Sequence, residues 1–297
     1  MSQRRLHTLL EGGSFFESPR WHQGRWWVSD FYRHEVLAVE PDGRAQTVLE
    51  VAGRPSGLGW MPDGSLLVVS MADRRILRVT AGDVSLHADV SAYCGGDLND
   101  MVVASDGRLY AGNFGFDSAA QADPVPASLI CVDPGGSARV AADGLHFPNG
   151  SVIAPDGRTL IVGETGASRY TAFTIEPGGA LSGRRTWAQV APAPELTTFA
   201  DTLAALRFGP DGCTLDADGH IWAADMIGAR CARLAPGGAI VDEIAVPDRR
   251  NCFACMLGGD DGRTLLICAA RGHGEQLDTH DAVLLTTTVA VPHAGLP

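Results

Sequence analysis

Short apolar runs recur along this chain at a near-constant interval, each opened by a glycine turn. After Gly24, Gly64, Gly107, Gly157, Gly219 and Gly262 come the stretches Arg25 to Ser29, Ser65 to Ser70, Arg108 to Gly112, Arg158 to Gly163, His220 to Ala224 and Arg263 to Cys268. Runs of this length, rich in branched and aromatic residues and bounded by Asp-Gly or Gln-Gly, predict hairpin strands. Most are followed by a further strand, as at Glu35 to Val39, Arg75 to Val79 and Cys231 to Leu234. Helical periodicity is nearly absent. The turn glycines are 40, 43, 50, 62 and 43 residues apart, which is the period of a propeller blade with insertions in the two longer intervals.

The expected fold is therefore all-β: a six-bladed β-propeller forming a single domain over residues 1–297. The termini support it. Arg5 to Glu11 matches Arg44 to Glu50 in character, so the N-terminal segment predicts an outer strand without a blade of its own. Its partner is the last blade, where Asp281 to Val291 supplies the final strand. A ring closed by strands from both ends of the chain leaves no open sheet edge.

The repeat also aligns side chains. Ser56, Asn99, Asn149, Asp211 and Ala254 each lie eight residues before their turn glycine, and Glu17 lies seven before Gly24. In a propeller these positions start the innermost strands and converge at one mouth of the channel. Glu17, Asn99, Asn149 and Asp211 then put hard oxygen donors at one point, which describes a divalent-cation site. Asn-Gly and Asp-Gly are also common turn dipeptides, but turn chemistry gives no reason for Glu17 in the same register. Carboxylate and amide donors without His or Cys favour calcium, with magnesium, manganese or zinc as alternatives. The second strands end at the same mouth with Asp30, Met71, Asn113, Glu164, Asp225 and Arg271, predicting an outer polar circle.

Composition narrows the class. Apolar residues make up 45% of the chain, and no apolar run is long enough to span a membrane. The net charge of −12 argues against nucleic acid or an anionic membrane as partner. A small-molecule substrate is expected, in a soluble, cytoplasmic protein. Oligomeric state is not legible. Seven scattered cysteines read as reduced thiols, and Cys252-x-x-Cys255, lacking a second pair, reads as two packed thiols. His22 and His34 read as structural.

The motifs Phe16-Glu17-Ser18-Pro19-Arg20-Trp21, Leu98-Asn99-Asp100, Phe147-Pro148-Asn149-Gly150 and Pro210-Asp211-Gly212, followed by Asp216, Gly219 and Trp222, resemble those of the senescence marker protein (regucalcin), gluconolactonase and luciferin-regenerating enzyme family. The resemblance covers essentially the whole chain. It implies that Glu17, Asn149 and Asp211 hold the divalent cation, that Asn99 lies beside it as a substrate or water-mediated contact, and that the reaction opens a lactone. Asp211 would act as general base and Asn99 would position the ester or oxyanion. Sugar-lactonase members carry an Arg two positions before the Asn; here that residue is Asp97, and the following motif Gly is Met101. This departure points away from gluconolactone. Aromatics in the mouth loops, including Phe31, Tyr32, Phe114, Phe116, Phe147, Tyr170 and Phe199, favour a bulkier or more apolar lactone. The substrate-binding candidates are Asn99, Asp97, Asn113, Glu164 and Phe114. Two other readings remain: an isomerase or lyase using the same cation on a small carbonyl compound, and a non-catalytic calcium-binding propeller. The Pro-bearing loops Gly115 to Ala127 and Ala191 to Phe208 are candidate lids or plain surface loops.

Overall fold

The computed structural model describes residues 4–272 and 280–295. Six four-stranded antiparallel sheets form the blades of a propeller. The innermost strands, in blade order, are Phe16–His22, Pro55–Trp60, Leu98–Val103, Pro148–Ile153, Pro210–Leu215 and Asn251–Gly258. The predicted turns explain the hairpins directly: Gly24, Gly64, Gly107, Gly157, Gly219 and Gly262 all have φ between +65° and +85°, a conformation open to glycine at no steric cost. In the sixth blade His7–Gly13 pairs antiparallel with Ala282–Thr288, from His7 opposite Thr286 to Gly13 opposite Ala282. Strands from the two ends of the chain thus close the ring.

The blades pack through apolar layers. Between the third and fourth, Val102, Tyr110, Leu129, Leu160, Val162 and Phe173 form one such layer, and each fully buried side chain of this kind is worth about 1.5–3 kcal/mol. All seven cysteines are free and six are buried. Cys255 donates its S–H to the Trp222 carbonyl at 3.3 Å, in keeping with packed thiols rather than a paired motif.

One element falls outside the all-strand expectation. Within the Ala191 to Phe208 insertion, Phe199–Ala205 forms a short α-helix capped by Thr198, whose side chain accepts from the Asp201 N–H. Seven residues are too few to show a helical period. No helix among the described residues is long and apolar enough to cross a membrane.

Candidate functional site

Each matched residue is the second of its inner strand in the first five blades, and a register shift follows there. The pairing jumps from Pro55 to Leu58, from Leu98 to Met101, from Pro148 to Ser151 and from Pro210 to Cys213. A bulge at that point re-aims a side chain, and here it falls at Ser56, Asn99, Asn149 and Asp211. The glycines that follow are not turn residues. A Cβ on Gly150 would lie 2.4 Å from the Asp211 carbonyl oxygen, and one on Gly212 would lie 2.6 Å from the Ala254 Cβ. Asn149-Gly150 and Asp211-Gly212 therefore mark the close approach of neighbouring inner strands, which brings the two ring residues together.

Glu17, Asn99, Asn149 and Asp211 are all buried. Asn149 donates to Asp211. Its Nδ2 also donates to Thr165 Oγ1 at 3.1 Å, and that hydroxyl spends its own proton on the Pro210 carbonyl at 2.6 Å. Because Thr165 can then only accept, the Asn149 amide is fixed with its NH2 toward Thr165 and its oxygen left for the channel. Glu17 Oε2 accepts the Ser18 N–H at 3.0 Å. Burial first, and then the Asp211 and Asp100 charges, push the Glu17 carboxyl well above its usual range. Burial does the same to Asp211, against the hydrogen bond from Asn149. Among the described residues neither carboxylate pairs with an arginine or histidine. Two buried carboxylates, an oriented amide oxygen and no basic partner fit a hard divalent cation.

The second strands behave differently from the expectation of an outer polar circle. Their last residues, opposite the first residue of each inner strand, include Asp30, Asn113, Glu164 and Asp225, all fully buried. Asp30 accepts the Ser14 and Phe15 N–H groups at 3.0 Å each, Glu164 the His146 N–H at 2.9 Å, and Asp225 the Gly209 N–H at 3.0 Å. These carboxylates clamp the backbone two or three residues before Glu17, Asn149 and Asp211. Each also faces an arginine: Arg33 at 3.9 Å, Arg169 at 2.8 Å and Arg230 at 3.1 Å. Asn113 donates to the Ser128 carbonyl at 2.7 Å and accepts the Gly115 N–H at 3.0 Å. Asn113 and Glu164 thus spend these hydrogen bonds on the backbone and side chains around their own blades. Met71 and Arg271 lie one residue beyond the strand ends; Met71 lines the cavity.

A cavity of about 690 Å³ opens at this mouth. Its wall includes Phe31, Tyr32, Phe114, Phe116, Phe147 and Phe199, and its floor reaches Thr165, the partner of Asn149. Phe114 and Phe147 are 4.3 Å apart between centroids, and Phe116 meets Phe199 of the short helix at 6.2 Å. Both long insertions contribute to the wall, so they cap the mouth. Tyr170 is wholly buried in the core and is not part of it. Asp97 lines the cavity and is paired with Arg54, which reaches it from the second blade at 2.8 Å.

The profile of the SMP-30/gluconolactonase/LRE-like family matches residues 15–271. The chain belongs to this family. It is 26% identical to a pentonolactonase of Haloferax volcanii over 87% of this chain and 82% of that protein, and 28% identical to a 6-deoxy-6-sulfogluconolactonase of Pseudomonas putida over 67% and 64%. Among solved structures, a calcium-binding protein, regucalcin, of Agrobacterium tumefaciens superposes with a TM-score of 0.81 at 20% identity, over 99% of this chain and 97% of that one. A gluconolactonase of Xanthomonas campestris superposes with a TM-score of 0.71 at 25% identity, over 99% and 90%.

Two groups escaped the reading of the repeat. Asp216, Asp218 and His220 bring ligand atoms within 4.8 Å of one another, but they lie at the turn end of the fifth blade, away from the ring. Asp216 accepts Arg233 at 2.6 Å and the N–H groups of Asp218 and His220, while Arg233 also holds Asp218 at 3.0 Å. Arg233 thus offsets one of the two carboxylate charges of that cluster. Arg20 and Asp100, buried in the channel itself, form an ion pair at 2.9 Å. Both stand in the quoted motifs, but only the fold shows that they meet.

Proposed function

We propose that this chain is a divalent-cation-dependent hydrolase that opens the cyclic ester of a small, largely apolar lactone. The observation that carries the reading is an internal contrast. Among the described residues seven acidic side chains are buried: Glu17, Asp30, Asp100, Glu164, Asp211, Asp216 and Asp225. Five of them face an arginine. Among the described residues Glu17 and Asp211 pair with no arginine, and the charges they feel are each other's and that of Asp100. A buried carboxylate needs a charge partner, and the two left without one share a single mouth in a family whose relatives include lactonases.

Glu17, Asn149 and Asp211 would hold the cation, with calcium best suited to these oxygen donors. When bound, a divalent cation polarises a lactone carbonyl and makes water more acidic. Asn99 is buried beside the ring and has no side-chain hydrogen bond among the described residues, so its amide N–H is available to the carbonyl oxygen and to the oxyanion as charge develops. Asp211 takes the proton of the attacking water on a carboxylate oxygen as the water oxygen bonds to the carbonyl carbon. The ring C–O bond then breaks, the proton passes from Asp211 to the departing alkoxide oxygen, and a hydroxycarboxylic acid results, which releases its acidic proton to solvent. The aromatic wall excludes water and accommodates the body of the substrate. Asp97, held by Arg54, and Phe114 would meet its far end.

The test is turnover of sugar, aliphatic and aromatic lactones by chelator-stripped protein with calcium, magnesium, manganese or zinc restored. Cation-restored opening of an aromatic or alkyl lactone, lost in Asp211→Asn with the fold intact, is expected. Turnover that survives chelation, or an active Asp211→Asn enzyme, would overturn the assignment.

A further inference from the structure

The ion pair between Arg20 and Asp100 runs across the channel. Arg20 stands on the inner strand of the first blade and Asp100 on that of the third, with the second blade between them, so their contact at 2.9 Å spans the interior. The same guanidinium donates to the Met101 carbonyl at 2.8 Å and to the Pro19 carbonyl at 2.9 Å. Asp100 Oδ1 also accepts the Met101 N–H at 2.8 Å and the Ser18 hydroxyl at 3.3 Å. Both side chains are under a tenth exposed. Asp100 directly follows Asn99, and its charge is felt by both Glu17 and Asp211.

A third carboxylate therefore stands beside the two proposed to hold the cation. With Glu17, Asp211 and Asp100 negative and Arg20 positive, the channel keeps two negative charges, the charge of one divalent ion. We propose that Arg20 sets the charge of the cation site: by holding Asp100 it keeps that carboxylate out of the ligand set and matches the ring to a single divalent cation. The inference rests on the cation-site reading above. Coulomb attraction in a buried site scales with the charges involved. Losing the guanidinium should tighten cation binding, and losing the Asp100 charge should weaken it. Arg20 is a positioning residue here, since it touches Asp100 and not the substrate.

The experiment is calorimetric titration of the chelator-stripped full chain with calcium and with terbium(III), which needs no turnover. Arg20→Met should lower the calcium Kd about tenfold and the terbium Kd further, because the trivalent ion gains more from the added negative charge. Asp100→Asn, nearly isosteric, should raise the calcium Kd about tenfold. The double variant should return within about threefold of the parent, and Arg20→Lys, which keeps the charge, should do likewise. A purely structural pair would lower the melting temperature of both single variants and move their affinities the same way. Unchanged or weaker calcium binding in folded Arg20→Met would overturn the proposal, as would unchanged or tighter binding in Asp100→Asn should Arg20→Met not fold. Failure of the parent to bind either ion, or binding that Asp211→Asn leaves intact, would instead remove the cation-site reading and this inference with it.

Discussion

Removing the Glu164 carboxylate distinguishes an acid that serves the fold from one that serves the substrate. Glu164 accepts Arg169 Nε at 2.8 Å and Nη2 at 2.9 Å, the His146 N–H at 2.9 Å and the Thr171 hydroxyl. Glu164→Ala removes the acceptor of all these groups. Breaking a buried pair from one side costs about 3–5 kcal/mol. The Arg169 side chain is 24% exposed, so water recovers part of its loss, and we expect about 3 kcal/mol. Glu164→Gln keeps the shape and one acceptor and should cost about 1–2 kcal/mol. Burial alone would raise this carboxyl, but the hydrogen bonds from Arg169, Thr171 and the His146 N–H outweigh it and hold Glu164 below its usual range. A depressed carboxyl stabilises fully above its unfolded-state pKa of about 4.3 and loses that contribution as pH falls through the lower folded value. Urea unfolding should therefore show a constant gap between parent and Glu164→Gln from about pH 5 to 8, narrowing below about pH 4. A Glu164→Ala protein within about 0.5 kcal/mol of the parent would refute the structural role. So would a rise in lactone KM with stability unchanged.

Gly150→Ala places a methyl against the Asp211 carbonyl and should cost about 1–3 kcal/mol in urea unfolding while weakening calcium binding; Gly135→Ala, with open space around it, should stay within about 0.5 kcal/mol. Phe114→Ala removes one ring of the tilted Phe114–Phe147 pair on the cavity wall and should raise KM for an aromatic lactone about tenfold with little change in kcat; an unchanged KM would separate the wall from the substrate. Calcium at about one hundred times its Kd should stabilise the chelated protein by about 2.7 kcal/mol, seen as a melting shift of several degrees that Asp211→Asn lacks.

The legible parts of this protein were those written into a repeat. Positive φ at six turn glycines is a local demand that only glycine meets easily, so the hairpins and their period show in the sequence. The ring residues share a register, and matching register rather than residue type is what places Glu17 beside the Asn-Gly and Asp-Gly pairs. Register also has a limit. A strand end specifies which mouth of the propeller a residue reaches, but not whether its side chain faces the channel or folds back on its own blade. Asn113 and Glu164 lie at the right mouth and take the second course, satisfied by Ser128, Gly115, His146 and Arg169. Arg169 five residues after Glu164, and Arg230 five after Asp225, were available as signals, since an arginine at the start of the next strand faces the acid across the sheet. The Arg20–Asp100 pair had no such signal, because nothing in a blade repeat says which side chains meet across the axis.

The contrast between paired and unpaired acids links stability to chemistry. Asp30, Glu164 and Asp225 are fully satisfied, and each fixes the backbone just before a ring residue. Rigid clamps of this kind hold the backbone at Glu17, Asn149 and Asp211 in place although the Glu17 and Asp211 carboxylates repel each other. Without a cation the remaining way to lower the energy is to take up protons, consistent with carboxyls pushed well above their usual range. On the proposed reading, a cation that displaced those protons would stabilise the fold and return Asp211 to the ionised form that can accept a proton from water. One binding event would then relieve a cost in the structure and prepare the base, so cation affinity, acid sensitivity and turnover should shift together in any variant that alters the charge of this mouth.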